Sequence, residues 1–178
     1  MKKLLLLLFV VVFSLTQLLA QESTFKQGDK VLNLGIGFGS TFYGSFYTSH
    51  TPALSASLEF NVKDGILDKG SIGVGGYFGY SSAKWTNYYK TSNIIIGARG
   101  SFHYPLVDKL DTYTGLLLGY NIYTYKYESS FIGSAATSSG LAFAWFAGAR
   151  YYFSNSFAVM AEIGYGISYL TLGVSLKF

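Results

Sequence analysis

Along most of this chain an apolar residue falls at every second position. Residues 170–178 show it most cleanly: Leu170, Leu172, Val174, Leu176 and Phe178 alternate with Thr171, Gly173, Ser175 and Lys177. A period of two marks a strand with one apolar face and one small or polar face. Seven segments of the same kind precede it. Leu32, Leu34, Ile36 and Phe38 form the apolar face of the first, and Leu54, Ala56, Leu58, Phe60 and Val62 that of the second. The third carries Ile72, Val74, Phe78 and Tyr80, and the fourth Ile94, Ile96, Ala98, Phe102 and Tyr104. Leu116, Leu118, Tyr120 and Ile122 mark the fifth, and Phe143, Trp145, Ala147, Ala149 and Tyr151 the sixth. Val159, Ala161, Ile163 and Tyr165 mark the seventh.

Segments of about ten residues suit tilted strands that cross a bilayer. The polar connections are predicted at residues 41–51, 81–92 and 126–140, with shorter links at 63–70, 105–111 and 154–156. Long connections alternating with short ones fit the outer loops and periplasmic turns of a membrane barrel. The turn near residues 167–169 departs from that rule, being short where an outer loop is due. The predicted fold is all-β: a closed antiparallel up-and-down transmembrane β-barrel of eight strands. The last strand should pair with both the first and the seventh, leaving no open edge in lipid.

Composition sharpens this. Of 178 residues, 50% are hydrophobic and only 12% charged, about half the charge of a soluble domain. Past the N-terminus no apolar run is long enough for a membrane-spanning helix, so the apolar surface must be spread over strands. The absence of Cys excludes disulfides, thiolate metal sites and a lipidated cysteine.

The N-terminus reads as an address. Lys2 and Lys3 precede an apolar core at residues 4–13 and a small residue at Ala20, the order of a secretory signal peptide cleaved near Ala20. Residues 21–178 then form one barrel domain, entered through an exposed polar leader at residues 22–30. Without Lys2 and Lys3, 11 basic residues face 9 acidic ones, a surplus too small for nucleic-acid binding.

Glu59, Arg99, Arg150, Glu162 and Lys177 all fall on the small or polar parity of their strands. A cation facing mid-bilayer lipid costs about 2–4 kcal/mol, so that parity faces inward and the apolar one outward. Side chains can fill an eight-stranded barrel, so Glu59, Arg99, Arg150 and Glu162 are expected to form a structural charge cluster in the lumen. The alternative is a narrow ion pore. Tyr43, Tyr80, Tyr104, Tyr120, Tyr151, Phe153, Phe157 and Tyr165 gather near strand ends, as interfacial girdles do.

Chemistry is sparse. His103 is an inward filler by parity, and His50 follows Ser49 in the first outer loop. A Ser–His pair near the outer leaflet would suit a lipid-modifying acyl hydrolase or transferase, but neighbours in an extended segment point apart and no acid stands close. No metal-ligand spacing and no phosphate-binding glycine loop is present. No catalytic residue, cofactor or metal is expected.

The ending Thr171-x-Gly173-x-x-Leu176-x-Phe178 resembles the C-terminal signal read by the barrel-assembly machinery of Gram-negative bacteria. With residues 148–153 (GARYYF) and 161–166 (AEIGYG), the chain resembles small eight-stranded outer-membrane barrels typified by OmpA and OmpX, of a kind frequent in Bacteroidetes-type bacteria. The resemblance implies an outer-membrane location, contact with lipid or lipopolysaccharide, assembly by that machinery, and outer loops that meet an extracellular ligand. It implies a structural or interaction protein, not an enzyme. The peptidoglycan-binding role of OmpA is not carried over.

Overall fold

The computed structural model describes residues 24–39, 49–85, 89–127 and 135–178. Eight strands follow one another: β1 (Lys30–Phe38), β2 (Ser49–Ile66), β3 (Gly70–Trp85), β4 (Tyr89–Val107), β5 (Leu110–Tyr127), β6 (Ala135–Tyr152), β7 (Phe157–Tyr165) and β8 (Leu170–Lys177). Each pairs antiparallel with the next, and β8 returns to β1 in the register Phe38↔Leu170 to Val31↔Lys177. The sheet is therefore a closed ring. The predicted partners of the last strand are the observed ones.

The faces follow from parity. Leu34, Ile36, Leu54, Phe78, Ile96, Leu118, Val159 and Leu172 lie on the outside, about half exposed. Asn33, Ser57, Glu59, Arg99, Ser101, Arg150 and Ser175 lie inside, almost completely buried. A slip of one residue would turn each strand inside out, so the alternation fixes the register of the wall.

Strand lengths differ from the sequence expectation. The described parts of 81–92 and 126–140, expected as polar loops, are strand: β3 runs to Trp85, β4 starts at Tyr89, β5 runs to Tyr127 and β6 starts at Ala135. Above the apolar band both faces of a hairpin are polar, so alternation disappears although the backbone ladder continues. The links at 63–70 and 105–111 are also mostly strand. Leu67 and Asp68 (φ 52° and 73°) make the first reversal and Lys109 (φ 62°) helps make the second. β1, β7 and β8, at nine, nine and eight residues, are the short side of the ring, while β2 to β6 rise above it.

The segment leading into β1 is exposed at Lys26, Gln27, Gly28 and Lys30, as a polar leader should be, but not at Phe25. Phe25 is 1% exposed and sits in one mouth of the barrel. Asn61 Nδ2 donates to its carbonyl at 2.9 Å, and Lys177 Nζ donates to Thr24 O at 2.8 Å. The polar composition of this stretch concealed one aromatic anchor. At the other mouth the 166–169 turn folds inward, and Ile167 packs among Ala53, Ile95, Leu117 and Phe146. That explains the short connection where a long one was expected: it works as a cap. Residues 1–23, where the signal peptide is expected, and 40–48, with Tyr43, lie outside the described residues.

Candidate functional site: the charged lumen

Between the Ile167 cap and Phe25, the inward residues of five strands converge. β2 supplies Glu59, β4 supplies Arg99, Ser101 and His103, β5 supplies Asp111 and Tyr113, β6 supplies Arg150, and β7 supplies Glu162. Space for them comes from glycine. At Gly73 an added Cβ would lie 2.6 Å from Glu59 Oε1, and at Gly148 it would lie 2.6 Å from the Tyr113 ring.

The four charges named from the sequence form two linked pairs. Arg99 Nη2 donates to Glu162 Oε2 at 2.7 Å, and Tyr113 OH donates to the same oxygen at 3.2 Å. Arg150 Nη2 donates to Glu59 Oε2, while Arg150 Nη1 lies 3.2 Å from Asp111 Oδ2. The guanidinium carbons stand over aromatic rings, Arg99 at 3.7 Å from the Phe146 centroid and Arg150 at 4.5 Å from that of Tyr113. Charge taken out of water needs this many partners, because the desolvation cost of an ion is several kcal/mol.

Three members, Asp111, Tyr113 and Ser101, were not singled out by sequence. Asp111 was placed at the end of a turn, yet it is 2% exposed on the inner face of β5. Stepping back by twos along that face, from Asn121 through Leu117 and Tyr113, reaches it. Ser101 shares the inward parity of Arg99 and His103. It donates to Glu59 Oε1 and lies 3.0 Å from His103 Nε2, while His103 Nδ1 is 2.8 Å from Asp111 Oδ1. His103 Nε2 is also 3.1 Å from Glu59 Oε1. A carboxylate at each ring nitrogen suits a ring that donates from both. The formal signs are then level, with Arg99, Arg150 and His103 against Glu59, Asp111 and Glu162.

Ser101, His103 and Asp111 have the contacts of a nucleophile, base and orienting acid. Their surroundings are different. The three are 4%, 1% and 2% exposed, Glu59 accepts the hydroxyl's hydrogen bond, and Phe25 lies 4.5 Å from the imidazole, centroid to centroid. A nucleophilic serine needs an open side for the reacting carbonyl; here that side is occupied. Ser49 and His50 open β2, opposite Lys84 and Ala83, and their side chains lie outside what the structure describes.

The residues expected to form an assembly signal lie at the seam. Thr171, Gly173 and Leu176 pair with Gly37, Gly35 and Leu32 of β1. Phe178 N donates to Lys30 O at 2.9 Å and accepts at its carbonyl from Lys30 N at 3.0 Å. Among the described residues no group of three or more His, Asp or Glu could hold a metal ion.

No family model matches the sequence, and no curated protein matches it. Solved structures do resemble the fold. The outer membrane protein Ail of Yersinia pestis, in complex with the heparin analogue sucrose octasulfate, has TM-score 0.57 and 13% identity over 86% of this chain and 100% of Ail. The N-terminal β-barrel domain of Pseudomonas aeruginosa OprF has TM-score 0.54 and 15% identity over 85% and 98%. Neisserial surface protein A has TM-score 0.51 and 12% identity over 84% and 95%. What these likenesses share with the chain is architecture: a closed ring of eight antiparallel strands, the fold of small bacterial surface barrels.

Proposed function

We propose that this protein is an integral outer-membrane barrel with a structural or surface-interaction role, exported through a Sec-type signal peptide cleaved near Ala20. The observation that carries the reading is the outer wall. Its exposed Leu, Ile, Val and Phe side chains form a continuous apolar belt around a closed ring, a surface water would not tolerate and lipid would. Tyr104 and Tyr151 at one rim and Tyr120 and Tyr165 at the other, all outward, support interfacial girdles.

Outer-leaflet lipid or lipopolysaccharide is the expected partner. Two residues above Ile94 and Ile122 the strands carry Ser92 and Thr124, and two higher Lys84, Lys90 and Lys126 lie directly opposite one another across β3, β4 and β5. The row is cationic, and a row of anionic sugar or phosphate groups complements it in sign. The barrel-assembly machinery would read Thr171, Gly173, Leu176 and Phe178 during insertion.

The lumen supports a plug rather than a pore, because the charged layer lies between Phe25 and the Ile167 cap. The buried Ser101–His103–Asp111 chain supports a structural role rather than catalysis. The deciding experiment is membrane fractionation followed by electrophoresis of unheated and boiled samples. Recovery with the outer membrane and a heat-dependent shift in mobility are expected; equal mobility with solubility in plain buffer overturns the reading. Lipid A from cells expressing Ser49→Ala/His50→Ala or Ser101→Ala should match that of cells expressing the unaltered chain by mass spectrometry. A change would favour the lipid-modifying reading.

A further inference from the structure

The wall of the barrel is not of one height. β7 ends at Tyr165, opposite Trp145, whereas β6 continues upward to Ala135. β5 stays paired with β6 along that whole length, through Leu118↔Phe143, Tyr120↔Leu141 and Lys126↔Ala135. On its other side β6 has no ladder partner above Trp145 among the described residues. A notch results, bounded by β6 and the 166–169 turn. Phe143 lies opposite Leu118 in the outward apolar belt and Leu141 opposite Tyr120 at its girdle, so the notch opens from the girdle down into the belt.

Its outer lip is bare at Leu141. That side chain is 85% exposed, against 37% to 63% for the other exposed large hydrophobics of the strands, Phe143 and Tyr165 beside it included. Its floor is the apolar upper lumen, Ile95 and Leu117, each at most 3% exposed. Between lip and floor lies a cavity of about 230 Å³, mostly apolar in its lining, with Asn121 as an inward polar side chain beside it. A narrow crevice of about 30 Å³ continues past Ile95, Leu117 and Ala144 to Arg99 and Glu162. Small residues at the inner edge, Ala142, Ala144 and Gly166, keep the passage open.

We infer that this notch is a side entrance that takes the end of a lipid acyl chain from the surrounding leaflet into the barrel. The inference rests on the membrane location proposed above. A cavity of about 150 Å³ already accepts benzene, so this one has room for a terminal stretch of hydrocarbon. The cavity is continuous with the apolar outer belt, and the medium at that belt is lipid. The occupant therefore follows from position: a chain end from lipid, held by contact with Ile95, Leu117, Leu141 and Phe143. Arg99 and Glu162 satisfy each other at the bottom of the crevice, so the chain meets a closed ion pair and stops there.

The full chain reconstituted into nanodiscs of phospholipid with a diazirine near the acyl terminus provides the test. After irradiation and digestion, mass spectrometry should find adducts on inner residues Leu117, Ala142 or Ala144 as well as on outer Leu118 and Phe143. Ala144→Phe should reduce the inner adducts to background and leave the outer ones. Ala142→Leu is the milder filling variant should the first lose its heat-dependent mobility. Adducts confined to outward residues, inner adducts indifferent to both fillings, or cross-links between two copies at β6 in place of lipid would each overturn the inference. Absence of adducts on both faces would instead overturn the membrane location.

Discussion

Glu59 is the residue on which the lower lumen turns. At 1% exposure it accepts from Arg150, Ser101 and His103. Replacing it by Ala strands Arg150 beside Asp111 alone, and breaking a buried pair from one side costs about 3–5 kcal/mol. Glu59→Ala should accordingly lower the urea midpoint of the folded band. Glu59→Met/Arg150→Met should recover part of the loss, because removing both partners leaves less buried charge uncompensated. Glycine gives a second test at this scale. A Cβ at Gly97 would lie 2.6 Å from Leu118 O, facing Gly119 across the ladder, whereas Gly100 has nothing within 4 Å. Gly97→Val should impair folding, while Gly100→Ala should change stability by less than about 1 kcal/mol; denaturant titration of the two variants compares them directly.

At the scale of elements, β8 and the segment before β1 close the molecule together. The backbone of Phe178 exchanges two hydrogen bonds with Lys30, and Lys177 reaches Asp29 at 3.5 Å and Thr24 O. Deleting Phe178 should reduce the heat-shifted fraction recovered in the membrane, because the seam loses its last rung and the assembly signal its aromatic end. Phe25→Ala should destabilise the barrel by about 3–5 kcal/mol, as for other buried phenylalanines, without disturbing insertion. Pulse-labelled insertion kinetics separate the two variants, since only the first acts on the seam. Strand identity was legible in the alternating positions of every segment. Strand length was not: at Ser92 and Thr124 both faces are polar, and the ladder there depends on backbone pairing that side-chain pattern does not record.

For the whole molecule, the lumen is sealed in three layers: Ile167 with Ile95 and Leu117, then the ion cluster, then Phe25. Reconstituted in planar bilayers, the intact protein should show no steady single-channel conductance, and Phe25→Ala should add none, because the ion cluster and the cap remain. Stable openings in either would revive the pore reading. The same layering accounts for Arg99 and Arg150 occurring in an otherwise apolar wall: each faces a carboxylate from a distant strand, 63 residues away for Arg99 and 91 for Arg150.

The sequence by itself determined strand number, the face each residue shows and the closing partners of β8, because a period of two is a local property and one misplaced charge in lipid outweighs most alternatives. It also placed Glu59, Arg99, Arg150 and Glu162 inward. Only the tertiary structure decided which of them meet, that Asp111, Ser101 and His103 join them, that Phe25 and Ile167 close the two mouths, and that the wall is notched beside β6. Those outcomes depend on the stagger of strands around a closed ring, which brings together residues that no local pattern relates.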